Sequence, residues 1–315
     1  DPDAALDALE GIDSMVISYG ASARTAAAAL RLSRASGRSV AVLRLQTVWP
    51  LPETFMRAAL ERVGLRPAEQ FTFKAADGQT TLFGQVSFPS NFDPAKKYPV
   101  LVPVYGGPVL VSNVPTETFA APNLTCEYGF LVVNVGYRGV PGTGKRAADA
   151  LYMKLGQTEM DDMAAGIKTL WTRPYFDKDR VGIYGTSYGG YTAAMQLVRH
   201  PEVFAAASSS SPVTDWRNYD SVYTERYMAT PQNNPEGYAK SSVVAAAANL
   251  HGHALIIHGS TDDNVHLQNT LQLVYALQKA GKQFELMIYP KSRHSITDPY
   301  QLKHLRSRSE EHTSE

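Results

Sequence analysis

The sequence contains one cysteine, no long apolar run and no excess of either charge. Cys126 has no partner for an internal disulfide and cannot hold a metal cluster alone, so we predict a small buried hydrophobic residue, not a nucleophile. No stretch approaches the roughly 18 consecutive apolar residues of a membrane-spanning helix. Lys+Arg 30 balance Asp+Glu 30, which indicates no nucleic-acid or anionic-membrane partner.

The chain of 315 residues suffices for one large α/β domain and a smaller unit. Its first ten residues, DPDAALDALE, lack the charged-then-apolar pattern of a signal peptide. The cellular compartment is therefore left open by the sequence. We also expect no metal or organic cofactor, and the single cysteine gives no metal cluster.

The sequence pattern of residues 1–64 predicts a partial β-α-β unit. The pattern indicates strands at 14–20 and 39–45, a helix at 22–36 and a short helix in TFMRAALERVG. Two strands cannot bury both faces of a sheet, so this unit looks incomplete. Its YG-x-x-AR start and LR-x-x-T-x-WP-x-P end, within residues 12–55, resemble part of a 2-oxoacid:ferredoxin oxidoreductase alpha subunit. The likeness to an unrelated enzyme suggests a chimera joined near residue 65.

The sequence pattern of residues 65–305 predicts a second, larger domain. A hairpin is expected around Asp77-Gly78, and continuous apolar strands then alternate with helices, which favours a mostly parallel sheet covered on both faces. The predicted strands are 98–108, 129–139, RVGIY, 204–210, 253–259 and 283–290, with helices near 157–173 and at 267–280.

The last residues differ in character from this domain. The segment RSRSEEHTSE has no apolar periodicity, so we predict a disordered tail at 306–315. The string RSEEHTSE at 308–315 resembles the translation of a sequencing-library adapter. On that reading the final helix of the domain is cut short.

Residues 185–190, Gly-Thr-Ser-Tyr-Gly-Gly, lie between a predicted strand and a predicted helix. A Ser between two glycines at such a turn is typical of the nucleophile elbow of the α/β-hydrolase fold. The turn strains the Ser backbone and lifts the hydroxyl clear of the sheet, and the flanking glycines relieve the crowding. Ser187 is therefore the predicted nucleophile.

A catalytic Ser needs a His as base and a carboxylate to orient it, and α/β-hydrolases place them in the order Ser, acid, His. Asp262 and Asp263 both follow the strand ALIIHG, and the pattern does not choose between them. His294 follows the last predicted strand. The other histidines fail on order, spacing or position: His200, His251, His253, His258, His266, His304 and His312.

Several motifs in one order carry a wider resemblance: VPVYGGP, GTSYGGY, SPVTDWRNYDSVYTERYM, HGSTDDNVH and YPKSRHSI. Through them, residues 66–305 resemble the catalytic domain of the prolyl oligopeptidase family, in its dipeptidyl peptidase IV branch. The resemblance implies the triad Ser187, Asp262 and His294.

The resemblance also implies an oxyanion hole and a pocket. The Tyr188 N–H follows the nucleophile and is one donor by construction of the elbow; the resemblance assigns the second to the Tyr105 hydroxyl. Trp216, Tyr219, Tyr223 and Tyr227 have the spacing of one helical face. The residues implied to line the box for the side chain before the cleaved bond are Tyr188, Val213, Trp216, Tyr219, Tyr223 and Val265.

Two neighbouring features have structural interpretations as well. Asn264 resembles the family Asn that donates to a substrate carbonyl, and it is also a candidate N-cap ahead of VHLQ. In NVGYRGVPGTGK, Tyr137 stands where the family usually has Asp. We predict that Arg138 belongs to a structural loop supported by Asp162.

Family members of this branch carry a β-propeller whose paired glutamates grip the substrate's amine, and they often form homodimers through the last helix and the propeller. They are often periplasmic or secreted. No blade-length repeat precedes residue 65, so we expect weak dipeptide binding. Because the last helix is also expected to be cut short, we expect a weakened homodimer. The sequence thus predicts a serine peptidase that cleaves after proline or alanine. The alternatives are an esterase on the same scaffold and a non-catalytic fragment of an oxidoreductase subunit.

Overall fold

A computed structural model describes the backbone of residues 14–19, 40–45, 68–108, 123–140 and 145–314. The chain divides into two compact units. The first includes strands β1 (Ser14–Tyr19) and β2 (Val40–Leu45), which pair in parallel with Ser14 opposite Val40. Parallel pairing is what the β-α-β pattern predicted. The helices predicted at 22–36 and in TFMRAALERVG lie outside the described residues.

The second unit contains the remaining strands, apart from Ser87 at the end of one of them. The strands are β3 (Glu69–Lys74), β4 (Thr81–Ser87), β5 (Tyr98–Pro103), β6 (Leu131–Val135), β7 (Phe176–Thr186), β8 (Ala206–Ser210), β9 (His253–Gly259) and β10 (Glu285–Tyr289). They form one eight-stranded sheet in the order β10-β9-β8-β7-β5-β6-β4-β3. The predicted hairpin is the antiparallel β3–β4 pair, and β5 to β10 pair in parallel where their registers are described.

Helices flank this sheet. The α-helices are α1 (Lys145–Ala148), α2 (Thr158–Thr169), α3 (Tyr188–Arg199), α4 (Ser221–Met228), α5 (Pro235–Lys240), α6 (Gln268–Lys279) and α7 (Pro299–Ser314). Short 3₁₀ helices lie at Leu124–Tyr128, Asp149–Leu151, Leu170–Thr172, Trp216–Asn218 and Ala247–Asn249. None of the helices described here is long and apolar enough to span a membrane.

The centre of the sheet is the core of this unit. Six of the seven residues of β9 are buried, because an apolar strand between two parallel neighbours is covered on both faces. Helix α3 is buried from Tyr188 to Val198, because its glycines and alanines let it pack directly against the sheet. Cys126, which belongs to the first unit, is fully buried, as predicted.

The end of the chain differs from the prediction. Helix α7 continues to Ser314, through the segment expected to be a disordered tail. That segment contains no Gly or Pro to end the helix, and Arg308 Nη2 lies 2.5 Å from Glu285 Oε2 on the edge strand. A lack of apolar periodicity therefore did not prevent helix formation here.

Candidate active site

Ser187 stands at the tight turn between β7 and α3. Its backbone has φ 65° and ψ −122°, a left-handed conformation that strains any residue with a Cβ. A Cβ on Gly185 would lie 2.4 Å from the Val104 carbonyl oxygen, and one on Gly189 would meet the same atom at 2.4 Å. The predicted strand-turn-helix elbow is confirmed, and the glycines serve close backbone approach.

Asp262 and His294 come together from the loops that follow β9 and β10. These strands are parallel neighbours, so their carboxyl ends share one edge of the sheet. His294 Nδ1 donates to Asp262 Oδ2 at 2.8 Å. Asp262 Oδ1 accepts from the backbone N–H groups of Asn264 at 3.0 Å and Val265 at 2.9 Å. Asp262 is thus buried and fully used as an acceptor.

Asp263 points away from this pair. Its carboxylate is exposed and lies 3.2 Å from Arg293 Nη1. The two aspartates are adjacent in an irregular loop that directs them to different partners, which is why spacing alone left them equivalent. The geometry favours Asp262 as the partner of the histidine.

The last residue of β8 and the residue after it make hydrogen bonds to Ser187 and His294, respectively. The Ser187 N–H donates to the Ser210 carbonyl at 2.9 Å, and Ser211 Oγ donates to the His294 carbonyl at 3.3 Å. Within the described part of the chain, Ser187 Oγ and the His294 ring make no direct hydrogen bond. Catalytic hydrogen bonds of this kind are often long before a substrate binds.

Tyr105 lies just beyond β5, on the same side as Ser187. Its side chain is 48% exposed, and its carbonyl accepts from Thr192 Oγ1 at 2.8 Å. Gly107, at φ +72°, lies so close to the Tyr188 ring that a Cβ would come within 2.5 Å of it. Tyr188 begins α3, so its backbone N–H has no partner within the helix. A hydroxyl and an N–H are therefore both available near the elbow.

An aromatic cluster lies beside the elbow. The Trp216 ring has its centroid 5.2 Å from that of Tyr188, 6.0 Å from that of Tyr219 and 5.9 Å from that of Tyr223. Val213 and Val265 are buried. Among the predicted pocket residues, the rings of Tyr188, Tyr219 and Tyr223 thus all contact the ring of Trp216.

The prediction that Trp216, Tyr219, Tyr223 and Tyr227 share one helical face holds for Tyr223 and Tyr227, whose ring centroids lie 4.9 Å apart on α4, and is wrong for the other two. Trp216 lies in a 3₁₀ turn, Tyr219 is extended, and α4 begins only at Ser221. The break arises because Asp220 caps α4, accepting from the Tyr223 N–H at 2.8 Å. The rings converge through a turn between two short helices.

Asn264 does not cap a helix, contrary to the second interpretation of its position. Helix α6 begins at Gln268, after Leu267. Asn264 Oδ1 instead accepts from the Tyr219 hydroxyl at 3.1 Å. This bond uses the side-chain oxygen and turns the amide nitrogen toward other partners.

The comparisons with known proteins match this geometry. The model of the prolyl oligopeptidase family matches residues 117–311. The chain belongs to the prolyl oligopeptidase family. Residues 12–65 separately match pyruvate:ferredoxin oxidoreductase core domain II, in line with the resemblance of the first segment.

Individual proteins that this chain resembles include dipeptidyl peptidases. Human dipeptidyl peptidase 8 is 39% identical over 245 residues, and probable dipeptidyl-aminopeptidase B of Emericella nidulans is 43% identical over 217. The crystal structure of Porphyromonas gingivalis dipeptidyl peptidase 4 is 38% identical, with a TM-score of 0.74 over 82% of this chain. The fold is therefore the predicted α/β-hydrolase fold.

The match covers only part of these relatives. The aligned regions take in 76% and 66% of this chain, but 27% of the human protein and 23% of the fungal one. They also take in 37% of the bacterial chain. The chain thus spans about a quarter of the length of the curated relatives that it matches.

The sequence analysis excluded His258 as the catalytic base, but the structure places it in contact with Asp262. His258 Nε2 lies 2.8 Å from the Val265 carbonyl and 3.2 Å from Asp262 Oδ2, so this nitrogen carries the proton. Its Nδ1 accepts from Thr270 Oγ1 at 2.8 Å. Burial lowers the pKa of His258 and favours the neutral ring. Its signal in the sequence was only that it precedes Asp262 by four residues.

Glu159 was also missed. It is fully buried in the first turn of α2, and the Tyr188 hydroxyl donates to its Oε1 at 2.7 Å. Burial raises the pKa of Glu159, while the bonds from Tyr188 and from the Gly156 N–H act in the opposite direction. No motif marks this residue, because its partner lies 29 residues along the chain.

The loop prediction at Arg138 is confirmed. The Arg138 guanidinium donates through Nε to Asp162 Oδ2 and through Nη2 to Oδ1, both at 2.8 Å. Asp162 also accepts from the backbone N–H groups of Ala76 and Arg138. Tyr137 is buried and donates to the Gly107 carbonyl at 3.1 Å, so it supports the loop that carries Tyr105.

Proposed function

We propose that this chain is a serine peptidase domain that hydrolyses peptide bonds after proline or alanine, in the manner of a dipeptidyl peptidase. The observation that carries the proposal is the hydrogen bond between the partly exposed His294 and the buried Asp262, together with the backbone contacts through Ser210 and Ser211 to the strained Ser187. The names of the relatives support an activity of the dipeptidyl peptidase type.

In this proposal, acyl transfer begins at Ser187. His294 takes the proton of the Ser187 hydroxyl through Nε2, while Asp262 fixes the ring by accepting from Nδ1. The Ser187 oxygen then attacks the carbonyl carbon of the substrate. His294 returns the proton to the leaving amine, and an acyl-enzyme remains on Ser187. Water activated by His294 hydrolyses this ester and restores the hydroxyl.

The developing negative charge is stabilised by the Tyr105 hydroxyl and the Tyr188 N–H. Preorganised donors of this kind act where charge develops in the transition state, so they lower the barrier rather than only binding substrate. Tyr105 suits the role because it is exposed and its loop is held by Thr192 and Tyr137.

The pocket accepts the side chain before the cleaved bond. Rigid aromatic walls suit a proline ring, which loses little conformational entropy on binding. Trp216 and Tyr223 stack with an interplanar angle of 23°, and the Tyr219 hydroxyl orients the Asn264 amide. Asn264 Nδ2 then donates to a backbone carbonyl of the substrate.

The decisive experiment combines active-site labelling with two substrates. A fluorophosphonate probe should label the chain and fail to label Ser187→Ala. The labelled protein should hydrolyse a proline-anilide dipeptide in preference to a short-chain nitrophenyl ester. Ester cleavage without anilide cleavage would indicate an esterase instead. Unchanged labelling of Ser187→Ala would rule out a serine enzyme that acts through Ser187.

A further inference from the structure

The carboxyl group of Glu159 is buried behind the pocket with an unusual set of contacts. Its Oε1 accepts from the Tyr188 hydroxyl at 2.7 Å and from the Gly156 N–H at 2.6 Å. Its Oε2 is buried and has no hydrogen-bond partner in the described part of the chain. A carboxyl in this environment is costly, and apolar replacement of buried polar pairs is often neutral for stability. Stability alone therefore gives a poor reason for an acid at this position.

Tyr188 joins the two parts of the proposed site. Its backbone N–H is the donor next to Ser187, and its ring is one wall of the pocket. The same ring lies 6.1 Å from the ring of Tyr105 and packs against Gly107. A shift of this one side chain would therefore disturb both oxyanion donors and the pocket.

The position of Glu159 is itself fixed. Helix α2 is tied to α3 by Gln196 Nε2, which donates to the Met160 carbonyl at 3.0 Å. Arg199 donates to both oxygens of Asp161, at 2.7 and 2.8 Å. Glu159 thus extends from a helix that is held against the helix carrying Tyr188, and it provides a rigid point of attachment.

We propose that Glu159 is a positioning residue that acts through the Tyr188 hydroxyl. By holding the Tyr188 ring, it keeps the adjacent N–H aligned for the oxyanion and keeps the pocket wall in place for proline. This inference rests on the proposed function, because it concerns the same site.

A double-mutant cycle tests the route through the hydroxyl. Glu159→Met removes the acceptor, Tyr188→Phe removes the donor, and the double variant removes both. Each single variant should lower kcat/KM for the proline anilide by about tenfold or more, since small misplacements of catalytic groups are costly. The kcat/KM of the double variant should be no lower than that of the less active single variant, because both changes break the same hydrogen bond between Tyr188 and Glu159. Glu159→Gln, whose amide oxygen can still accept from Tyr188, should recover activity to within about threefold.

Two controls separate positioning from folding. All rates are expressed per site labelled by fluorophosphonate, so unfolded molecules are not counted. Lys168→Gln changes a residue on the same helix whose ion pair with Glu202 lies at the surface, so kcat/KM per labelled site should stay unchanged. An equal loss in Lys168→Gln would overturn the proposal, because it would reveal a general effect of α2.

The remaining outcomes are equally decisive. Wild-type kcat/KM in Tyr188→Phe, which removes one buried hydroxyl and is the mildest change, would overturn the proposal even if Glu159→Met did not fold. Fully additive losses in the cycle would do the same. Failure of the proposed function is distinguished by the wild-type protein, which would then show no anilide cleavage, whether or not the probe labels it.

Discussion

Asp262 Oδ2 accepts a hydrogen bond from His294 Nδ1 at 2.8 Å, although 32 residues separate the two. The contact forms because each residue follows one of two parallel neighbouring strands. The remaining acceptor capacity of Asp262 is taken by backbone N–H groups and by the approach of His258. The carboxylate is therefore held in one orientation that presents it to the histidine.

The adjacent aspartates provide a matched pair of variants. Asp262→Asn should lower kcat by about 10⁴-fold, since an amide no longer holds the required tautomer of His294. Asp263→Asn should stay within about threefold of wild type, because its exposed ion pair with Arg293 contributes little. Steady-state anilide kinetics measures both. Equal losses in the two variants would contradict the assignment of Asp262.

Tyr105→Phe tests the proposed oxyanion donor. Removing one such donor typically lowers kcat by about 10²–10³-fold, with little change in KM. Tyr152→Phe is the control, because Tyr152 is also largely exposed, at 55%, and is not among the proposed site residues. The rates of acylation and deacylation should both fall in Tyr105→Phe. A change confined to KM would indicate a binding role instead.

Tyr223→Ala tests the pocket. The Tyr223 ring stacks on Trp216 and contacts Tyr219, so its loss opens one wall. We expect kcat/KM for a proline substrate to fall roughly 10- to 200-fold, the range for a lost apolar pocket contact. Hydrolysis of a short acetate ester, which does not fill the pocket, should change far less. Tyr275→Ala, at an exposed position on α6, controls for removal of an aromatic ring.

The pH dependence of stability should reveal Asp161. Partial burial by itself raises the pKa of this carboxyl, but hydrogen bonds from His200 and Arg199 outweigh it and lower the pKa from 3.8 to about 2. The folded state therefore binds the proton less tightly than the unfolded state does. The stabilisation is complete above the unfolded pKa of 3.8 and is lost as the pH falls toward about 2.

Urea unfolding of wild type and Asp161→Asn across this range measures the effect. The difference in free energy of unfolding should be largest near neutral pH and should shrink below pH 3.8. Asp179→Asn, at a well-exposed acid on the surface, serves as control. A difference between wild type and Asp161→Asn that is constant with pH would show that the ion pair does not act through this titration.

Local patterns predicted the elbow, the strands and the candidate base. Gly185, Ser187 and Gly189 are informative because strain and close approach act within a few residues. The helical face predicted for Trp216 and Tyr219 failed because Asp220 starts a new helix between the aromatic residues. Asn264 failed as a cap for a related reason, since α6 begins later than its motif indicated.

The sequence by itself determined the order of the chemistry-bearing residues and the α/β pattern, because apolar periodicity and turn residues act locally. Local patterns left Asp262 and Asp263 equivalent and the family resemblance pointed to Asp262, while the tertiary structure gives the physical reason, because an irregular loop directs Asp262 to His294 and Asp263 to Arg293. Only the tertiary structure placed Glu159 next to the Tyr188 hydroxyl and His258 next to Asp262. Contacts of this kind depend on how helices and strands pack, and packing joins residues whose separation along the chain carries no signal.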